Sequence, residues 1–177
     1  MQTDNKNAGI SLLEVIVVVA ILGVLSGGVM LATGIGKWAD ASGAVNRIDS
    51  KMEQVKTLSM SKKDALYLAV YKKDDGYYVC TTKEISPFSA NSSEEEKIAG
   101  NQMEVEVTFA DGSTARVEEK AVYFSFERAS GAFLTCYTAI NGGTLMDQGL
   151  PQTIRASAKG RTSTIKMIPQ TGKHYVE

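Results

Sequence analysis

The sequence predicts an α+β chain, with a long N-terminal α-helix packed on an antiparallel β-sheet or sandwich. Three observations predict it. Residues 10–36 are apolar almost without interruption. From Lys37 to Leu58 the apolar residues recur every three or four positions. Beyond Lys63 the spacing becomes two, broken by Gly, Asp and Asn turn signals. The first two patterns belong to helices and the third to strands. The boundaries that follow are a polar N-terminal segment at 1–9, a helix at 10–62 whose 10–36 half has membrane length, and a β domain at 63–177.

The apolar half carries one charge near its front. Ala8-Gly9-Ile10-Ser11-Leu12-Leu13-Glu14 leads into Val15 through Gly36, which holds no charged residue. That run of roughly 22 residues spans about 33 Å as a helix, enough for the hydrocarbon core of a bilayer. An acid inside such a helix costs about 2.5–3.5 kcal/mol at the bilayer centre and less at the interface. Glu14 therefore calls for a partner. A cut after Gly9 would create one, because Ile10 would then carry an α-ammonium one turn before Glu14. An ammonium at a helix start is itself unfavourable. Glu14 offsets it within the chain or from a neighbouring chain, and the second arrangement fixes the axial stagger of two helices.

Trp38, Ala41, Val45, Ile48, Met52, Val55 and Leu58 form one stripe of an amphipathic helix. Asp40, Asn46, Arg47, Asp49, Lys51, Glu53 and Lys56 lie between them. No proline separates this stripe from the membrane-length run, so one helix from about Ile10 to about Ser61 is expected. Gly23, Gly27, Gly28, Gly34 and Gly36 weaken its middle, each by about 1 kcal/mol relative to Ala. Small residues there suit close helix packing, and equally a segment that bends when the chain leaves a bilayer.

The β text reads as hairpins. Ala65–Lys73 and Tyr77–Thr82 flank Asp74-Asp75-Gly76. Met103–Phe109 and Thr114–Glu118 flank Asp111-Gly112. Ala121–Phe126 and Phe133–Thr138 flank Ser130-Gly131. Thr153–Ala158 and Thr162–Ile168 flank Lys159-Gly160, and a short strand around His174–Val176 follows Thr171-Gly172-Lys173. Ile85–Gln102, with Pro87 and Glu94-Glu95-Glu96, reads as a long surface loop. So does the stretch from Asn141-Gly142-Gly143 past Pro151. Short strands with regular turn signals imply a sandwich or a curled sheet.

The chain has 177 residues and a formal net charge of −1. About 140 residues follow the apolar run, enough for one domain with its own core. Of the 19 basic and 20 acidic residues only Lys6, Asp4 and Glu14 precede Gly36, so the remainder is balanced. No global basic footprint asks for nucleic acid. The middle is acidic through Glu94–Glu96, Glu104, Glu106, Glu118 and Glu119. The last segment is basic through Arg155, Lys159, Arg161, Lys166 and Lys173, a candidate DNA-binding set whose ordinary reading is a solvated face. Cys80 and Cys136 each lie in a strand-like run. Sequence leaves open whether they form a disulfide or stay free and buried.

Catalytic patterns are not found. His174 is the only histidine and reads as a surface residue. The cysteines have no histidine company that would make a metal set. There is no nucleophile elbow and no phosphate loop, and Gly34-Ile35-Gly36 is not a dinucleotide fingerprint. Tyr77-Tyr78 and Tyr123/Phe124/Phe126 fit strand faces better than a base-stacking platform. Neither an enzyme nor a cofactor is expected.

Gly9-Ile10-Ser11-Leu12-Leu13-Glu14-Val15, followed by the long apolar run, resembles the class III leader-peptide site of type IV pilins and pseudopilins. The resemblance implies a leader at 1–9, cleavage between Gly9 and Ile10 by a prepilin peptidase, N-methylation of Ile10, and Glu14 as the filament assembly acid. Two departures stand out. Ile10 occupies the place where the family usually has Phe, and Lys6 is the only positive residue of the leader, balanced by Asp4. The order of helix and then all-β, with a terminal strand pair around Thr171-Gly172-Lys173, resembles the H-type minor pseudopilins and their competence-associated relatives. The implied protein is a structural subunit of a type IV pilus or a type II secretion-like pseudopilus. Its implied partners are copies of itself or other pilin subunits, the prepilin peptidase, an assembly ATPase, a platform protein and membrane lipid. DNA is a further candidate partner. The precursor would sit in the cytoplasmic membrane as a single-pass protein, and the mature chain in a surface or periplasmic filament serving adhesion, twitching, secretion or DNA uptake.

Other readings explain less. A secretory signal peptide has a shorter apolar core than this run, although Ala39-Asp40-Ala41 loosely fits its cleavage site. A single-pass anchored binding or sensing ectodomain that never polymerises accounts for the run but for neither Gly9 nor Glu14. A secreted enzyme lacks candidate residues.

Overall fold

In the computed structural model the chain is described at residues 15–21, 35–62, 64–85, 95–118, 120–140, 144–158 and 160–177. Two compact units divide at Gly36/Lys37. In the first, residues 15–21 are helical. The expected continuous helix from Ile10 falls at 10–14 and 22–34 outside the described residues.

The second unit is α+β. Helix α1, Ile35–Ser61, opens it. Its apolar stripe is the one legible in the sequence: Ala41, Val45, Ile48, Met52 and Val55 are fully buried, and Leu58 packs against the same cluster. Ala44 joins them on the inner face. Eleven strands follow: β1 Tyr67–Lys73, β2 Gly76–Thr82, β3 Glu96–Ala99, β4 Glu104–Phe109, β5 Thr114–Arg116, β6 Lys120–Phe126, β7 Phe133–Ile140, β8 Leu145–Gly149, β9 Pro151–Ala158, β10 Arg161–Ile168 and β11 Lys173–Val176. They form a six-stranded sheet A, in the order β3-β2-β1-β6-β7-β8, and a five-stranded sheet B, in the order β11-β10-β9-β4-β5. The pairings are antiparallel.

Alternation along the strands sends one set of side chains into a core shared by both sheets and α1. Leu68, Val79 and Phe124 enter it from sheet A, and Val107, Ile154 and Ile165 from sheet B. Helix α1 closes the side where the first edges of the two sheets lie. Arg47 donates from Nη1 to the Lys97 carbonyl of β3 at 2.7 Å. Asp49 and Glu53 face His174 of β11. These contacts place α1 beside one edge strand of each sheet.

Each hairpin expected from a turn signal is present. Two expected loops contain strands instead. β3 lies inside 85–102, and β8 lies between Asn141 and Pro151. Both are edge strands of sheet A. β3 buries only Ile98 and Ala99, and no residue of β8 is buried. A four-residue edge strand with one buried pair, or one with none, carries no alternating apolar pattern to read.

Candidate functional site

Gly9, Ile10 and Glu14, the proposed cleavage, methylation and assembly positions, lie outside the described residues. The helical stretch that follows Glu14 is described. Val15, Ile16, Val17, Val18, Val19 and Ile21 are each 48–62 % exposed. A helix apolar on every side has no face that prefers water, so its stable surroundings are lipid or other apolar helices. Among the described residues no helix is long and apolar enough to cross a membrane. The membrane-length run of 10–36 falls mostly outside them.

In the β domain the structure separates residues that the sequence left together. Cys80 and Cys136 are both free and both buried, so no bridge joins them. They lie on strands separated by two others, about 14 Å at ordinary strand spacing. They also face opposite sides of sheet A, Cys136 in the shared core and Cys80 in a second cluster outside it. Burial pushes the Cys136 thiol well up, with a further push from Asp147.

Two of the basic C-terminal residues stand beside acids. Arg155, on β9, stands opposite Glu106 of β4. Lys166 is paired to Glu177 at 2.8 Å. Arg161 and Lys173 are exposed, and Lys159 lies outside the described residues. Glu104, Glu106, Arg116, Glu118 and Arg155 together line a mixed-charge concavity on the outside of sheet B.

His174 is not a surface residue. Its side chain is 4 % exposed, with Nε2 3.6 Å from Asp49 Oδ1 and 3.7 Å from Glu53 Oε2. Its ring meets the Phe133 ring edge-on. It fastens β11 to α1. Among the described residues no group of three or more acids, cysteines and histidines could hold a metal ion.

Five tyrosines of sheet A collect on its outer face, while Tyr77 enters the shared core. Ala69, Tyr71, Cys80, Ala121, Tyr123 and Ala139 form a buried cluster there, flanked by Tyr67, Tyr78 and Tyr137. Glu95 closes one side of it, accepting from the Tyr71 hydroxyl and from Lys73 Nζ. Burial works against the Glu95 charge, but these two donors outweigh it and hold its carboxyl below the usual range. The Tyr71 hydroxyl is pushed upward by burial and by its bond to Glu95.

Near the C-terminal end of α1 this face borders a cavity of about 270 Å³. Its walls are mainly apolar: Leu66, Tyr67, Phe126, Leu134 and Tyr137. Tyr67 and Tyr137 meet edge-on, with ring centroids 6.4 Å apart. Ser59 of α1 completes the wall, 5 % exposed, and its buried Oγ has no hydrogen-bond partner. Asp64, Glu127 and Arg128 also border the cavity. Sequence reasoning missed this site, because its walls come from α1, β1, β6 and β7, and no local pattern links them.

Residues 4–30 match the family model described as the prokaryotic N-terminal methylation motif. No curated protein and no solved structure matches the chain.

Proposed function

We propose that this chain, which carries the type IV pilin and pseudopilin signature at residues 4–30, is the precursor of a structural subunit of a type IV pilus or a secretion pseudopilus. Residues 1–9 are its leader. A prepilin peptidase cuts between Gly9 and Ile10 and methylates Ile10. Residues 10–62 form the long helix, with 10–36 held in the cytoplasmic membrane, and its second half packs on the strands of 63–177 to form the domain outside it. The observation that carries the reading is the methylation motif. The all-round apolar helix at 15–21 supports it, since those side chains need lipid or neighbouring helices around them.

In this reading Glu14 attracts the Ile10 ammonium of the next subunit. Apolar packing along Val15–Leu31 then replaces lipid around the helix. A buried charge left without its partner costs several kcal/mol, so the pairing selects one axial stagger. Assembly needs an ATPase and a platform protein outside this chain. The chain has a structural role and no catalytic one.

Mass spectrometry of the N-terminal peptide from sheared surface material tests the proposal. An N-methylated Ile10 is expected, whereas an intact Met1 would mean an anchored ectodomain. Gly9→Val should block maturation, because it places a bulky side chain at the cut. Mature-sized protein from that variant would refute the cleavage site. Glu14→Ala should insert normally but enter filaments far less, and unchanged incorporation would remove the assembly role from Glu14.

A further inference from the structure

The outer face of sheet A is an apolar core with one described wall. Ala69, Cys80, Ala121 and Ala139 are buried there, and Tyr123 and Tyr71 are only 4 % and 8 % exposed. Every member of the cluster stands on β1, β2, β6 or β7. No apolar residue of α1 or of sheet B packs against it. A ring standing on a sheet can shade the alanines beside it. Two rings this deeply buried need atoms above them, because a buried side chain is surrounded on all sides. The cover therefore comes from chain outside the described residues.

The stretch 86–94 begins and ends on this face. Ile85, just before it, packs against the cluster. Glu95, just after it, accepts from the Tyr71 hydroxyl and from Lys73 Nζ. Nine extended residues reach about 30 Å. That is enough to cross from β2 to β7, about 14 Å over three strand spacings, and to return. The remaining stretches do not fit. Residues 141–143 are a three-residue link between β7 and β8, and 1–14 and 22–34 belong to the other compact unit.

Its residues suit the task. Ser86-Pro87-Phe88-Ser89-Ala90-Asn91-Ser92-Ser93-Glu94 is polar except at Pro87, Phe88 and Ala90, and Phe88 is its one aromatic side chain. On the face Ala69 stands opposite Cys80 and Ala121 opposite Ala139. These two pairs of small side chains leave room beside Tyr71 and Tyr123 that one further ring can fill, and rings pack well edge-on or offset.

We infer that residues 86–94 of this chain cover the outer face of sheet A, with Phe88 packed over Ala69, Ala121 and Ala139 beside Tyr71 and Tyr123. A stretch that reads in the sequence as a surface loop thus completes a second core. The tyrosine face is occupied within the molecule, and contacts between copies fall on other surfaces.

The test places the photocrosslinker p-benzoylphenylalanine at position 88 of the full chain. The expected adduct keeps the mass of one chain and joins position 88 to peptides within 67–80 or 120–139. An adduct of twice that mass would mean that a second copy supplies the cover. That result, an adduct to another protein, an adduct elsewhere on the chain, or none at all would overturn the inference. The thiols give a second reading, because Cys80 lies in this cluster and Cys136 in the shared core. In the full chain, Phe88→Ala should let a maleimide label Cys80 about tenfold faster or more, by opening this face alone, while Cys136 stays protected. A Cys80 as protected as before would also overturn it. Labelling of both thiols would mean that the variant has unfolded, and the adduct then decides.

Discussion

Gly172 holds φ +62° at the turn into β11, and a Cβ there would overlap the Gly131 carbonyl in the β6–β7 turn. Gly131, with φ +72°, in turn abuts Met60 and Lys56 of α1. Two hairpin turns from different sheets thus press together against the end of the helix, and at Gly172 backbone leaves no room for a side chain. Gly172→Ala should cost about 2 kcal/mol or more, from the left-handed backbone and the overlap together. An unchanged urea midpoint would refute this contact. His174, two residues further on β11, was readable only as a lone histidine. What buries it is α1, placed there by packing more than 100 residues apart in the chain, and no spacing rule reaches that far. The cysteines make the same point. Their residue types and strand context are legible, but the faces they occupy follow from register and strand order. Neither thiol should react with a thiol-specific reagent in the native protein, and both should react in denaturant without prior reduction. A native disulfide in the peptide map would contradict the structure.

Helix α1 was the most legible element, because one stripe at helical spacing met one core. Met52→Ala should destabilise the domain by about 2–5 kcal/mol. Gln54→Ala, on the exposed face of the same helix, should stay within about 0.5 kcal/mol. Equal effects would mean that the stripe does not carry the packing. The edge strands were the least legible. β8 is held by its backbone pairing with β7 rather than by burial, and Asp147 adds a side-chain tie, accepting from the Thr135 hydroxyl of β7 and from the Gly149 amide. The Thr135 bond first, and the Gly149 amide second, hold the Asp147 carboxyl below its usual value. A carboxylate depressed in the folded state stabilises it above the ordinary carboxylate pKa, and that contribution is lost as the pH falls through the folded value. The amides of β8 should therefore lose exchange protection as the pH falls below the ordinary carboxylate value, while those of β1 in the centre of sheet A keep theirs. Asp147→Ala should remove the pH dependence at β8. A protection pattern that ignores both acid and the substitution would mean that backbone pairing alone holds the edge.

At the scale of the whole molecule, the chain joins two units with opposite demands on their surroundings. Around residues 15–21 every described side chain is apolar and exposed, so this stretch lacks the apolar surroundings that lipid or other helices would give it. The second, from Lys37, closes its own core with α1 and both sheets. That division was legible in the sequence as a change of apolar period at Lys37. The boundary at 62/63, drawn where the helix ends, cuts through the core instead, because Ile48, Met52 and Val55 are as deeply buried as any strand residue. A fragment Lys37–Glu177 should therefore fold alone, with one cooperative thermal transition and native near-ultraviolet dichroism. A fragment starting at residue 63 should not, since removing the stripe exposes the inner faces of both sheets along the side α1 closes. At about 25 cal/mol per Å² of apolar surface, losing six fully buried side chains of α1 and uncovering their partners exceeds the net stability of an ordinary domain. Cooperative unfolding of the shorter fragment would show that the sandwich is self-sufficient and that α1 is an accessory to it.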